Sequence, residues 1–292
     1  MGSARWSASS YATYTASVAD KSRDEVFRSR SLNDGLDPKK FKLRESVDST
    51  VNPNSTPIIL ACDVTGSMGE LAEIIVKRGL GVIMESIYSH KPVLDPHICC
   101  MATGDATCDS APLQVTQFEA GVDPLVKQIE DIFIGGGGGG NAGESYILAW
   151  WYAAYKVKQD AFAKRGRKGY LFTIGDEAPL PVIRADEIRK FMGVGCQQDI
   201  PAKELLEIIE KFWNVYHIIV KPVGTQPVLD SWRNLLGQRA IVVKNHEKLA
   251  EVIVTIIGIN EGVDANKVKA DFDGDTKAIV TEATKKLLPA GV

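Results

Sequence analysis

The apolar positions of this chain follow two alternating patterns. Short unbroken apolar runs at 57–62, 170–174, 215–220 and 240–243 have the length of strands buried on both faces. Between them, apolar residues recur at helical spacing: Leu71, Ile74, Ile75, Val82, Ile83 and Ile87 after the first run, and again across 203–212, 228–236 and 247–259. Gly79 and Gly81 interrupt the first of these helices and predict close packing on the sheet. Residues 97–103 and 113–118 read as two further strands, and the turn-rich 104–112 between them is short enough to make them an antiparallel pair. A helical pattern over 125–133 and a long helix predicted over 144–165 complete the series. Strand and helix in alternation predict an α/β fold, doubly wound, with a mostly parallel six-stranded sheet, one antiparallel strand and helices on both faces.

The flanks read differently. Residues 1–52 are rich in Ser, Ala, Thr and charge without sustained apolar periodicity, so they are expected to form a partly irregular or disordered arm in which Trp6, Tyr11 and Tyr14 are isolated aromatics. The domain proper is expected over 53–262, followed by a tail, 263–292, with the makings of one more helix. Asp271, Asp273 and Asp275 lack the EF-hand's ligand spacing and closing glutamate and read as a solvated loop. Within 144–165, adjacent Trp150 and Trp151 must leave a helix in different directions, and shared burial under neighbouring segments is expected to hold both.

Candidate chemistry begins where the first apolar run ends. Asp63-Val64-Thr65-Gly66-Ser67 sets a carboxylate and two hydroxyls at two-residue spacing. These are hard oxygen ligands suited to Mg²⁺, Mn²⁺ or Ca²⁺, and too few to fill such a cation's shell. The same pentapeptide also reads as a helix N-cap. Two further loops favour the metal reading. The glycine run at 135–140, followed by Asn141 and Glu144, joins two apolar-patterned elements and predicts a backbone that approaches something closely. No Gly-Lys-Ser/Thr follows it, which argues against a phosphate cradle. Gly175-Asp176-Glu177 follows the 170–174 strand, and in open α/β sheets ligands collect at the carboxyl ends of strands, where the first and third loops both lie. Asp105 and Asp109, between the antiparallel strands, read as turn residues.

Asp63, Thr65 and Ser67 in an Asp-x-Ser/Thr-x-Ser motif, the glycine-rich second loop, and Asp176 together resemble the von Willebrand factor A family over about residues 53–262. The resemblance implies a metal-ion-dependent adhesion site in which Asp63 supplies the main negative charge, Thr65 and Ser67 coordinate through hydroxyls, and Asp176 acts directly or through water. In the commonest family pattern the second loop carries a threonine and the third reads Thr-Asp-Gly-Glu. Here Gly140 stands at the threonine position, and Gly175-Asp176 inverts the Asp-Gly order. The chain is more similar to a subset with a Gly-rich second loop, in which Asn141 and Glu144 are the matching positions and either would supply the missing oxygen.

Composition narrows the remaining classes. A chain of 292 residues with 45% hydrophobic content can bury a substantial core, and no apolar run approaches the ~18 to 20 residues of a membrane span. The first residues lack the apolar stretch of a signal peptide. Five cysteines, an odd number with Cys99 and Cys100 adjacent, read as reduced, mostly buried thiols of a cytoplasmic protein rather than a disulfide framework. With 34 basic against 37 acidic residues, the net charge of −3 gives no electrostatic footprint for nucleic acid.

The expected function is therefore a metal-dependent protein-binding module, in which an Asp or Glu side chain of a partner completes the shell of a divalent cation. The resemblance implies an intracellular bacterial or phage-type adaptor, and an AAA+ ATPase of the chelatase-like or MoxR-like kind is the partner it suggests. An enzyme is not expected. A haloacid-dehalogenase-type phosphatase would need a second aspartate where Thr65 stands, the histidines show no zinc-ligand spacing, and no Gly-x-Ser-x-Gly elbow is present. Two rival readings stay open: a metal-dependent hydrolase or phosphotransferase, and a structural component that self-assembles through its amino-terminal arm.

Overall fold

In a computed structural model, which describes residues 4–65, 68–135, 143–220 and 226–287, the apolar runs all enter one sheet. Its strands are β1 (Thr56–Asp63), β2 (Pro96–Thr103), β3 (Leu113–Val115), β4 (Gly169–Gly175), β5 (Trp213–Val220) and β6 (Ala240–Val243). Their spatial order is β6-β5-β4-β1-β2-β3, parallel throughout except for β3, which runs antiparallel to β2 at the edge. The chain lays down β1, β2 and β3 in one direction, then returns to place β4 on the other side of β1. That reversal makes the carboxyl ends of β1 and β4 a topological switch point, the place where open α/β sheets bind ligands.

Both faces of the sheet are covered, which explains why these strands read as continuous apolar runs. Along β1 the side chains alternate between two cores. Ile58, Leu60 and Cys62 join one with the helical segment at 69–90, hereafter α2, and Ile59 and Ala61 join the other. α2 consists of Gly69–Ile74, the π-helical Ile75–Gly79 and Leu80–His90 in continuous succession. The first core also holds Val122–Glu130 (α3) and Leu249–Asn260 (α7). The second holds Ile147–Tyr155 (α4), Ala202–Ile209 (α5) and Gln226–Leu236 (α6). A final helix, Gly274–Thr284 (α8), lies within the tail; Asp273 caps it by accepting from Thr276 N.

The amino-terminal segment, expected to be a partly irregular or disordered arm with isolated aromatics, is irregular in part but also carries a helix and docks on the domain. Ala8–Val18 forms a helix, α1, started by the Ser7 side chain, and Tyr11, Val18, Val26, Phe27 and Leu36 are buried in the first core. The Tyr11 hydroxyl donates to Val76 O at 2.9 Å, within the π-helical turn, and its ring lies where a Cβ on Gly81 would stand. Gly81 thus admits an aromatic ring from the arm rather than the sheet. Weak periodicity hid this helix because a Ser/Thr/Ala-rich sequence docks through one large side chain per turn or fewer.

The predicted helix over 144–165 is broken in two. After α4, Val157–Gln159 leaves helical geometry to pair in parallel with Arg44–Ser46, and a second helix follows at Asp160–Arg165. Lys156 explains the break: its buried Nζ donates to Pro38 O and Met192 O, each at 2.7 Å, and to Phe41 O at 3.2 Å. Helix propensity yields here to a tertiary contact that no local pattern announces. Trp150 and Trp151 are both buried, the first against Trp232 and the second against Tyr155. All five cysteines are unpaired thiols, with Cys62, Cys99 and Cys100 in the sheet. Among the described residues no helix is long and apolar enough to cross a membrane.

Candidate functional site

β1 ends on Asp63, whose carboxylate is buried at the switch point. Its Oδ1 accepts from Thr65 N at 2.8 Å and from Thr65 Oγ1 at 2.7 Å, an Asx-type turn that folds the first loop back over the strand end. The Thr65 hydroxyl also lies 3.4 Å from Glu144 Oε1. One proton serves both carboxyls, so Thr65 Oγ1 is a bridge between an acid from β1 and an acid from the second loop.

Glu144 is fixed by its backbone. Its N–H donates to Ala178 O at 3.0 Å and its C=O accepts from Leu180 N at 3.4 Å, which zips the end of the second loop to the third in a parallel bridge. On its other side, Ser145 N donates to Gly104 O at 3.3 Å, and Ser145 Oγ accepts from Ala106 N at 2.9 Å, tying the same segment to the β2–β3 turn. Asp105 and Asp109 behave as the turn residues expected of them. Asp105 accepts from Thr107 N and Oγ1, and Asp109 Oδ2 accepts from Asp105 N.

Sequence reading missed Tyr146, which stands at the start of α4. Its hydroxyl lies 3.1 Å from Asp63 Oδ2 as donor and accepts from Glu177 N at 3.4 Å, so it ties the first loop to the third. Trp232 supports the same place from α6, donating from Nε1 to Glu177 O at 3.0 Å and stacking on His217 with ring centroids 3.6 Å apart. His217, held by Thr173 at 2.9 Å, is buried and its basicity is pushed well below the usual range by that burial. The signal in the sequence is the aromatic density of 146–155, greater than packing on one sheet face requires.

The electrostatics are those of crowded acids. Burial, with a smaller contribution from the charge of half-buried Asp176, raises the Asp63 carboxyl to about 6 against the lowering influence of its Thr65 and Tyr146 hydrogen bonds. Burial, then Asp63, Asp105 and Asp109, lift Glu144 to about 8. Glu144 is 7% exposed, and its Oε2 is buried with no hydrogen-bond partner. Among the described residues neither Asp63 nor Glu144 forms an ion pair. Two buried carboxyls and an orphaned oxygen without a countercharge fit a cation. Among the described residues no three His, Cys, Asp or Glu side chains converge as a metal cage, so a cation here would rest on carboxylate and hydroxyl oxygens together.

The structure thus brings Asp63, Thr65 and Glu144 into contact and places Asp176 within electrostatic reach of Asp63. Ser67 and Asn141, and with them Gly140, lie outside the described residues. Beside Thr65 opens a cleft of about 250 Å³, lined by Thr103, Gly104, Cys108, Asp109 and Phe133, where Thr103 Oγ1 is also buried without a partner.

No family model matches the chain, and neither does any curated protein. Among solved structures, it is similar to the pilus adhesin SpaC of Lactobacillus rhamnosus GG in its open conformation, at 11% identity and a TM-score of 0.38, over 82% of this chain and 31% of that one. Another crystal structure of the same adhesin matches at 11% identity and a TM-score of 0.36, covering 82% of this chain and 32% of the other. The chain therefore spans about a third of the length of the adhesin structures it matches.

Proposed function

We propose that this chain is a cation-dependent protein-binding module of the von Willebrand factor A type, working as a cytoplasmic adaptor. The observation that carries this reading is the pair of buried carboxyls, Asp63 and Glu144, bridged by the Thr65 hydroxyl at the switch point with no basic side chain set against either. Asp63 and Glu144 would hold Mg²⁺ or Mn²⁺ with Thr65, while Asp176 adds charge from the third loop. When bound, the cation would supply a Lewis-acidic position that takes a carboxylate oxygen from another protein. The chain's own part is to orient. Tyr146 fixes the Asp63 carboxylate through Oδ2, the Glu144–Pro179 bridge fixes the second loop against the third, and the cleft beside Thr65 receives the partner residue next to the bridging acid.

An AAA+ ATPase offering an Asp or Glu is the partner we propose for this site. The self-assembly alternative finds less support, because the arm's Tyr11, Val18 and Phe27 are committed to the chain's own core. Calorimetric titration with Mn²⁺ tests the site directly: wild type is expected to bind one ion, and Asp63→Ala and Glu144→Ala to lose it while keeping the far-ultraviolet spectrum of the fold. Equal Mn²⁺ uptake by wild type and Asp63→Ala would remove the metal site, and a partner retained equally in Mg²⁺ and in EDTA would remove the bridge.

A further inference from the structure

At the far end of the sheet from β3, β6 has, among the described residues, a neighbour on one side only, β5. An edge strand offers alternate N–H and C=O groups to solvent, and proteins generally cover or blunt such edges. Here the edge opens into a cleft of about 190 Å³. Ile241 and Val242 of β6, Arg233 of α6, and Ile279 and Ala283 of α8 are among the residues that line it. Its rim is basic. Arg233, Lys244, Lys285 and Lys286 all line the cleft, with Glu282 as the one acid among the described residues, and Glu282 is already paired with Lys285 at 2.6 Å.

Lys244 and Lys286 feel the Glu282 carboxylate only at longer range, so one acid serves three lysines. Among the described residues Arg233, Lys244 and Lys286 form no ion pair, and Arg233 Nε is buried without a hydrogen-bond partner. The walls alternate as a strand would require. Ile241 and Val243 point into the core shared with α7, and Ala240 and Val242 pack toward the core shared with α6. A strand added beside β6 would therefore present every second side chain to Ile279 and Ala283 of α8, and the others toward Arg233. A second copy of this chain would bring two basic rims together, which charge opposes.

We infer that the β6 edge is a docking groove for an extended, acidic segment of a partner protein, which adds to the sheet as a seventh strand with alternating apolar and carboxylate side chains. Backbone hydrogen bonds to β6 supply the affinity, and Arg233, Lys244 and Lys286 select the charge. The groove is independent of the acidic site at the other strand ends, and occupancy of one does not require the other.

The test uses the full chain and a fluorescein-labelled, end-blocked hexapeptide of alternating Val and Glu, followed by fluorescence anisotropy. Binding is expected, and Arg233→Glu and Lys244→Glu should each weaken it at least about tenfold, since a like charge replaces an attractive one. Peptides N-methylated at alternate amides, made in both phases, should differ: one phase abolishes binding and the other leaves it. Addition of EDTA, or Asp63→Ala, is expected to change nothing, so failure here and failure of the metal site are read separately. The proposal is overturned by any of four outcomes: no binding at millimolar peptide, equal binding of both N-methylated phases, full competition by inorganic polyphosphate, or sedimentation showing that the groove joins two copies of the chain.

Discussion

A Cβ on Gly175 would overlap the hydroxyl of Tyr146 and stand 2.6 Å from its ring carbon Cζ. The glycine that inverts the expected Asp-Gly order in the third loop is thus the space through which Tyr146 reaches Asp63 and Glu177. Gly175→Ala must displace a fully buried ring. The expected loss is about 1–3 kcal/mol of stability, the usual range for overpacking, together with weakened cation binding. Chemical denaturation and Mn²⁺ titration of the same variant check both parts, and unchanged titration in a destabilised protein would show that Tyr146 only packs.

Tyr146→Phe isolates the hydroxyl from the ring. It removes a donor to Asp63 Oδ2 and an acceptor for Glu177 N while leaving the contacts with His217 and Trp232. The expected cost is about 1 kcal/mol for the lost hydrogen bonding. Asp63 should also titrate higher than in wild type, read by the carboxyl's chemical shift in a labelled sample.

The acidic pair makes stability depend on pH in a defined direction. Asp63 rises from an ordinary 3.8 to about 6, and Glu144 from 4.5 to about 8, so the folded state holds both protons more tightly than the unfolded chain does. Their contribution is fully present below the unfolded values and is lost as pH rises through the folded ones. In cation-free protein this pair should therefore lower stability as pH rises from roughly 4 to 8. Buried His97 and His217, whose basicity burial depresses, act in the opposite sense below about 6.5, so the net fall is expected between about 6.5 and 8, contrary to a carboxylate held in a salt bridge. Glu144→Gln should flatten the upper part of that slope, and saturating Mg²⁺ or Mn²⁺ should abolish it. Urea midpoints of wild type and Glu144→Gln with and without EDTA decide the matter, and a wild-type midpoint in EDTA that does not fall relative to Glu144→Gln between about pH 6.5 and 8 would contradict the crowding of the two acids.

Lys156→Met leaves three carbonyls, those of Pro38, Phe41 and Met192, without their shared donor. A loss of about 2–4 kcal/mol is expected from unsatisfied buried acceptors, with no change in Mn²⁺ affinity. Thermal unfolding and titration together check this, and a loss confined to metal binding would contradict it.

Gly81→Ala places a methyl against the Tyr11 ring, whose Cδ1 would lie 2.7 Å away. It should undock α1 from α2 rather than unfold the sheet. Hydrogen exchange is expected to rise across residues 8–18 while β1, β4 and β5 stay protected.

The sequence by itself determined the sheet. Unbroken apolar runs of strand length, separated by helical periodicity, admit few architectures other than a parallel sheet covered on both faces, because only there do both faces of a strand demand apolar side chains. Asp63 and Asp176 were legible for the same reason, since each follows such a run and so sits at a strand's carboxyl end. Only the tertiary structure decided what surrounds them. That Tyr146 would reach Asp63, that Gly175 would make room for it, and that Lys156 would end α4 by gathering carbonyls from 38, 41 and 192 all depend on segments far apart in the chain. Local periodicity reports which face of an element is apolar. It carries no information about which distant polar group that element will meet, and those meetings are what built the acidic site and docked the amino-terminal helix.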